Sequence, residues 1–261
     1  MKKYIIFTIF LFFSFSESLL AAELKGLQPV DPFSVFSTFS TESLKKGKSA
    51  VSIGAEASIE PDLYRMIFKG AYGLSDIIEL DFTLPYVFGS DIGDGYEDFA
   101  IGIRHRFFEE KKYGPSLAYM VNFSIPSGSD QLTTDGRFGA GIIVSKRVGP
   151  VNGHINLIYE NSGTKKLDYE WSFLTGFDFA AAHNFKILSE LLVRKSHDSE
   201  KVDLIEARIG YRIKTTESIY TSFGAGFDIK NRTPEARMMF NVTFILPPEK
   251  KKIKKIYEEE Q

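Results

Sequence analysis

From Ile78 to Phe88 the chain alternates strictly. Ile78, Leu80, Phe82, Leu84, Tyr86 and Phe88 are large and apolar, and Glu79, Asp81 and Thr83 stand between them. A period of two is the signature of a β-strand, here with one apolar face and one wet, charged face. The pattern recurs about a dozen times between Gly47 and Leu246. The segments run roughly 48–59, 63–73, 77–88, 97–108, 116–126, 137–147, 151–161, 168–180, 184–195, 202–213, 218–229 and 235–246. Each is near the length that crosses a bilayer at a tilt, and no helical period of comparable length competes. A chain with apolar residues on one face of every strand and charges on the other is satisfied by a closed barrel, lipid outside and water inside. The predicted fold class is all-β: a transmembrane antiparallel β-barrel of about twelve strands.

The connections alternate in character. Gly73 to Asp76, Val148 to Pro150, Ala181 to Asn184 and Thr215 to Glu217 are short, with Glu109 to Pro115 somewhat longer on the same side. Gly89 to Glu97, Ser127 to Gly136, Asn161 to Leu167 and Ser196 to Lys201 are longer and more polar, and Glu60 to Asp62 and Asn231 to Pro234 are short members of that second set. Bacterial barrels have tight periplasmic turns and longer outer loops. An even strand count then puts both termini in the periplasm.

The alternation also assigns faces. Tyr64, Met66, Phe68, Tyr72, Phe99, Ile101, Ile103, Tyr119, Phe123, Trp171, Phe173, Phe177, Ile209, Phe223, Phe240 and Phe244 join the lipid band, with aromatics toward the strand ends. The interior receives Arg65, Glu79, Asp81, Arg104, Arg106, Glu190, Glu206, Arg208, Asp228 and Arg237 as candidate lumen-lining residues. Glu56, Lys69, Arg137, Arg147, Glu160, Glu170, Asp178, Lys186, Arg194 and Arg212 share that face. Near mid-membrane a lipid-facing Arg or Lys costs about 2–4 kcal/mol. The balance of signs leaves two interiors open: one filled by cross-strand ion pairs, and a narrow polar channel.

Residues 1–22 read as a cleaved signal peptide: Lys2 and Lys3, an apolar run from Tyr4 to Phe15, and small residues at Ala21 and Ala22. Residues 23–46 read as an N-terminal periplasmic arm or a small plug, 47–246 as the barrel, and 247–261 as a charged periplasmic tail. With no cysteine in the chain, disulfides, thiolate metal sites and thiol catalysis are excluded. A formal net charge of −2 suggests no nucleic-acid partner.

The chain resembles an outer-membrane transporter-like family named for the meta-pathway of phenol degradation, grouped with fatty-acid-transporter-like β-barrels. Glu42 to Lys48, Tyr72 to Asp76, Leu84 to Val87, Tyr96 to Arg104, Gly114 to Leu117, Ile125 to Ser129 and Lys146 to Pro150 carry the resemblance. Glu97 stands before Asp98 where the family usually has glycine. The resemblance implies transport of small molecules, hydrophobic or aromatic compounds among them.

Candidate chemistry is sparse. His197-Asp198-Ser199 has a His-x-Ser spacing, but it falls in a loop, where no rigid face orients base and nucleophile. His154 is expected on the lumen side, hydrogen-bonded. Asp91, Asp94, Glu97 and Asp98 crowd one outer loop without the spacing of a calcium loop. No catalytic residue, metal site or cofactor is therefore assigned, and the chain is read as a non-enzyme. The expected function is an outer-membrane channel for passive uptake of small molecules. The alternative is a non-transporting structural or surface-interaction barrel with an ion-pair-filled lumen. Expected partners are outer-membrane lipid and lipopolysaccharide, the barrel-assembly machinery and small solutes. A small, weakly selective conductance is expected, with Arg104 and Arg208 at its narrowest wet section.

Overall fold

In a computed structural model the described residues are 26–59, 63–89, 93–129, 132–164, 167–197, 199–230 and 236–247. The signal-peptide reading, the tail beyond Pro247, Glu60 to Asp62, Asp91 and Asn231 to Pro234 lie outside them.

Twelve long antiparallel strands and one two-residue strand form the molecule. They are β1 (Ser49–Ser58), β2 (Leu63–Gly73), β3 (Ile78–Phe88), β4 (Gly95–Tyr96), β5 (Phe99–Phe108), β6 (Ser116–Ile125) and β7 (Arg137–Val148). There follow β8 (Val151–Ser162), β9 (Glu170–Ala182), β10 (Phe185–Lys195), β11 (Leu204–Lys214), β12 (Ile219–Asp228) and β13 (Ala236–Leu246). Each long strand pairs with its sequence neighbours, and β1 pairs with β13. The sheet therefore closes on itself and leaves no long edge.

Register follows the alternation. On β3, Ile78, Leu80, Phe82, Leu84, Tyr86 and Phe88 point outward, while Glu79, Asp81 and Thr83 are buried inside. Aromatic pairs sit at both ends of the outer wall. Tyr64 stacks on Phe88 and Tyr159 on Tyr169 at the long-loop end, and Phe185 stacks on Tyr211 at the short-turn end. Amphipathic rings at the two rims suit the two membrane interfaces.

One break in the wall is built by proline. Pro85 has no N–H to give a ladder, and there the β3–β5 pairing stops. Glu97 N donates to Pro85 O, and β3 instead pairs with β4 at Tyr86 and Val87. The interruption turns Glu97 inward, where it is buried.

The centre of the barrel is occupied. Residues 26–46 run inside the wall rather than beside it. Leu27 packs against Gly102, Phe39 shares a cluster with Ala118, Met120 and Ile143, and Val30 and Leu44 cluster with Ala50 and Ala71. These inner-wall positions are small or apolar, a second interior code interleaved with the charges.

Candidate functional site

The lumen is the candidate site, and it is built from wall charges that reach the arm. Nine of the ten expected lumen-lining residues are buried: Arg65, Glu79, Asp81, Arg104, Glu190, Glu206, Arg208, Asp228 and Arg237. Arg106 lies at the turn-end rim, half exposed, donating to Asp76 O.

The arm enters the sheet at the turn end and folds back on itself within the lumen. Lys46 N donates to Asp76 Oδ1 at the rim, and Leu44 N donates to Glu79. Deeper, Thr41 N donates to Ser145 Oγ at 3.0 Å, and Arg104 Nη1 donates to Ser40 O at 2.6 Å. Phe39 and Asn156 exchange two bonds, Phe39 N to Oδ1 at 2.6 Å and Nδ2 to Phe39 O at 2.9 Å. At mid-barrel Glu190 Oε2 accepts from Ser37 N, Thr38 N and Thr38 Oγ1 at 2.7–2.9 Å. The chain reverses at Val35 and Thr38, whose backbones bond each other in both directions. Between them Phe36 holds a left-handed φ of 43°, and its ring lies over Gly224, where an added Cβ would stand 2.3 Å from a ring carbon. The chain then passes Asp31, which pairs with Arg212 and accepts from Ser222 Oγ and Asn241 Nδ2. Gln28 N donates to Thr83 Oγ1, and Gly26 ends against Arg137 and Glu160 toward the loop end.

The wall charges also hold one another. Arg208 pairs with Glu190 at 2.9 Å and Glu206 at 2.7 Å, and Arg237 approaches Glu206 at 3.9 Å. Arg104 pairs with Glu79 and stands 4.0 Å from Asp81. Arg65 pairs with Glu97 and, at 3.6 Å, with Glu56, its cross-strand neighbour on β1. Asp228 accepts from Lys230 N at 2.8 Å.

The expected wet constriction at Arg104 and Arg208 takes a different form. Ser40 and Ser37 of the arm occupy the places where a solute would meet those guanidiniums. Interior cavities lined by both arm and wall measure about 40 Å³ (beside Asp31, Lys69 and Arg212) and about 20 Å³ (beside Asn122 and Glu160). Each has room for water molecules and not for a larger solute. Wider spaces open at the turn end, of about 250 Å³ and about 490 Å³.

The remaining candidates resolve into structure. Glu97 is drawn into the Arg65 pair, and Asp94 accepts from Gly89 N. Asp98 accepts from Gly128 N, Thr133 Oγ1, Thr134 N and Thr134 Oγ1. Burial pushes the Asp98 carboxyl up, but those donors outweigh it and hold it below its ordinary value. His197 lies beyond the end of β10, as the loop reading has it, but it is buried: its Nδ1 meets Asp168 O, and its Nε2 lies 3.7 Å from Glu170. Ser199 Oγ donates to Lys201 O instead of meeting that ring. His154 is buried, with Nδ1 2.8 Å from Ser145 Oγ. Sequence reasoning missed the arm's anchors Asn156, Ser145 and Thr83, because short polar side chains on a polar face carry no signal of what they bind.

No family model matches the chain, and no curated protein matches it. Solved structures do. An outer-membrane channel of Pseudomonas putida F1 is similar with a TM-score of 0.62, at 14% identity over 84% of this chain and 100% of that one. The NanC porin has a TM-score of 0.61 at 9% identity, covering 74% of this chain and 98% of that one. The KdgM porin has 0.58 at 10% identity, with 75% and 98% covered. At such identities the likeness is one of fold. With its apolar outer wall and charged, arm-filled interior, the protein is a twelve-stranded β-barrel of the bacterial outer membrane.

Proposed function

We propose that this barrel is a channel for passive uptake of small molecules, and that the N-terminal arm keeps it shut until it is displaced. One observation carries the reading. The lumen accommodates a doubled-back peptide, and between residues 26 and 46 the described hydrogen bonds from arm to wall all use side chains, with no backbone ladder joining arm to sheet. Each such bond contributes about 0.5–1.5 kcal/mol net, somewhat more where a charge takes part. Contacts of this kind exchange with water one by one, whereas a strand added to the sheet would not. A lumen wide enough for that peptide is wide enough for a small solute once the peptide has moved. The hydrophobic or aromatic character of the solute rests on the family resemblance alone.

The small interior cavities favour the second reading, a closed structural barrel. Conductance in planar bilayers separates the two. The full chain should conduct rarely or in brief openings. A variant lacking residues 26–40 should conduct steadily and restore uptake of small aromatic solutes in a deletion strain. A correctly folded deletion variant as silent as the full chain would establish the structural reading.

A further inference from the structure

The larger spaces at the turn end differ in chemistry. The one of about 250 Å³ lies between the β9–β10 and β11–β12 turns, with the arm as its inner wall. Phe33 of the arm, Phe185 of β10 and Tyr220 of β12 line it, all half-buried. Arg147, Lys186, Arg212 and Lys214 line it too, against a single carboxylate, Glu42. The other carboxylates that pair with these cations lie off the lining: Asp178 with Lys186 at 2.8 Å, Glu217 with Lys214 at 2.6 Å, and Asp31 with Arg212.

We infer that this cavity is a binding site for small aromatic carboxylates, with the ring against Phe33 and Tyr220 and the carboxylate on Lys186 and Lys214. An ammonium carries three donors. Lys186 gives one to Asp178 and Lys214 gives one to Glu217, which leaves donors for an incoming anion. The Lys214–Glu217 pair is exposed, with the Glu217 side chain 90% accessible, and an exposed pair of this kind is held weakly. A ligand carboxylate with its ring sheltered between the Phe33 and Tyr220 side chains competes well for Lys214. Ring packing against those side chains adds specificity beyond area. The volume suits a single ring, since sites for drug-sized ligands begin at about 300 Å³. Four of the five N–H donors of Arg212 already serve Asp31, Pro32 O, Ser34 O and Ser222 Oγ, so its main part is to hold the arm as the cavity's inner wall.

The site's place in transport, an exit station on the periplasmic side, rests on the channel reading; the binding does not. The test is calorimetric titration of the full-length protein in detergent micelles with benzoate, benzyl alcohol and acetate. Benzoate should bind about tenfold more tightly than either, since losing a charge-assisted bond or a buried ring is worth at least that factor. Lys186→Gln with Lys214→Gln should weaken benzoate about tenfold and leave benzyl alcohol unchanged. Tyr220→Ala should weaken benzoate and benzyl alcohol together. Equal affinity for benzoate and acetate, or benzoate binding indifferent to both lysine changes, overturns the proposal. Benzoate binding beside a silent arm-deleted barrel would retain the site and remove the channel. A conducting barrel that binds no benzoate would do the reverse.

Discussion

At the scale of single residues, Arg208 joins wall to arm. It pairs with Glu190 and Glu206 and donates to Ser37 Oγ, all in buried surroundings. Breaking a buried pair by removing one partner strands the other charge and costs about 3–5 kcal/mol. Arg208→Ala should therefore lower the urea concentration that unfolds the barrel in micelles, read by gel mobility of unboiled samples. Arg147→Ala, whose partner Glu42 is at the exposed rim, should leave it nearly unchanged. Equal effects would mean that the inner pairs are as solvated as the outer ones. Gly224 offers a test by volume. Gly224→Leu places a side chain where the Phe36 ring lies, so the arm should become sensitive to added protease while the strands stay resistant. Asp98 supplies a pH dependence. Its carboxyl is held below its ordinary value of 3.8, so its contribution is complete above that value and lost as pH falls through the lower folded one. The loop of residues 126–136, which Asp98 pins through Gly128, Thr133 and Thr134, should loosen only in strong acid. Asp98→Asn should loosen it at neutral pH, seen as faster amide exchange at Thr134.

At the scale of elements, the period of two does nearly all the work. Adjacent residues on a strand point to opposite faces, so a one-residue slip would exchange lipid and lumen faces throughout. On β6, Ala118 is fully buried and Tyr119 is exposed on the outer wall. Tyr119→Cys should react with a lipid-soluble maleimide in the intact protein. Ala118→Cys, beneath the cluster of Leu27 and Phe39, should stay unreactive to a water-soluble reagent until residues 26–40 are removed. Labelling of Ala118→Cys in the full chain would show that the arm does not seal this part of the wall. The sequence spoke clearly about strands because lipid imposes one rule on every outward position. It spoke less clearly about the inner wall. Ile67, Met120, Ile143, Leu174, Leu188 and Leu192 face inward among the charges, and alternation alone does not say that a second apolar surface will meet them there.

At the scale of the whole molecule, closure and filling have different origins. Closure is legible along the chain: repeated amphipathic strands, turns tight at one end and long at the other, and an even count that brings β1 back to β13. Each of these is a local or nearest-neighbour property, written in residues a few positions apart. Filling is not local. Asp31 meets Asn241 across 210 positions, Arg212 across 181, and Glu190 meets Thr38 across 152. The arm has no period, and its Ser, Thr and Pro residues suit a solvated linker as well as a lumen. Alternation determined by itself that the chain is a membrane barrel and which residues face lipid, because bilayer and backbone hydrogen bonding leave a strand little choice. Only the tertiary structure decided that residues 26–46 lie inside. That placement depends on whether the closed wall is wide enough, and polar enough at the matching heights, to satisfy every group the arm brings with it.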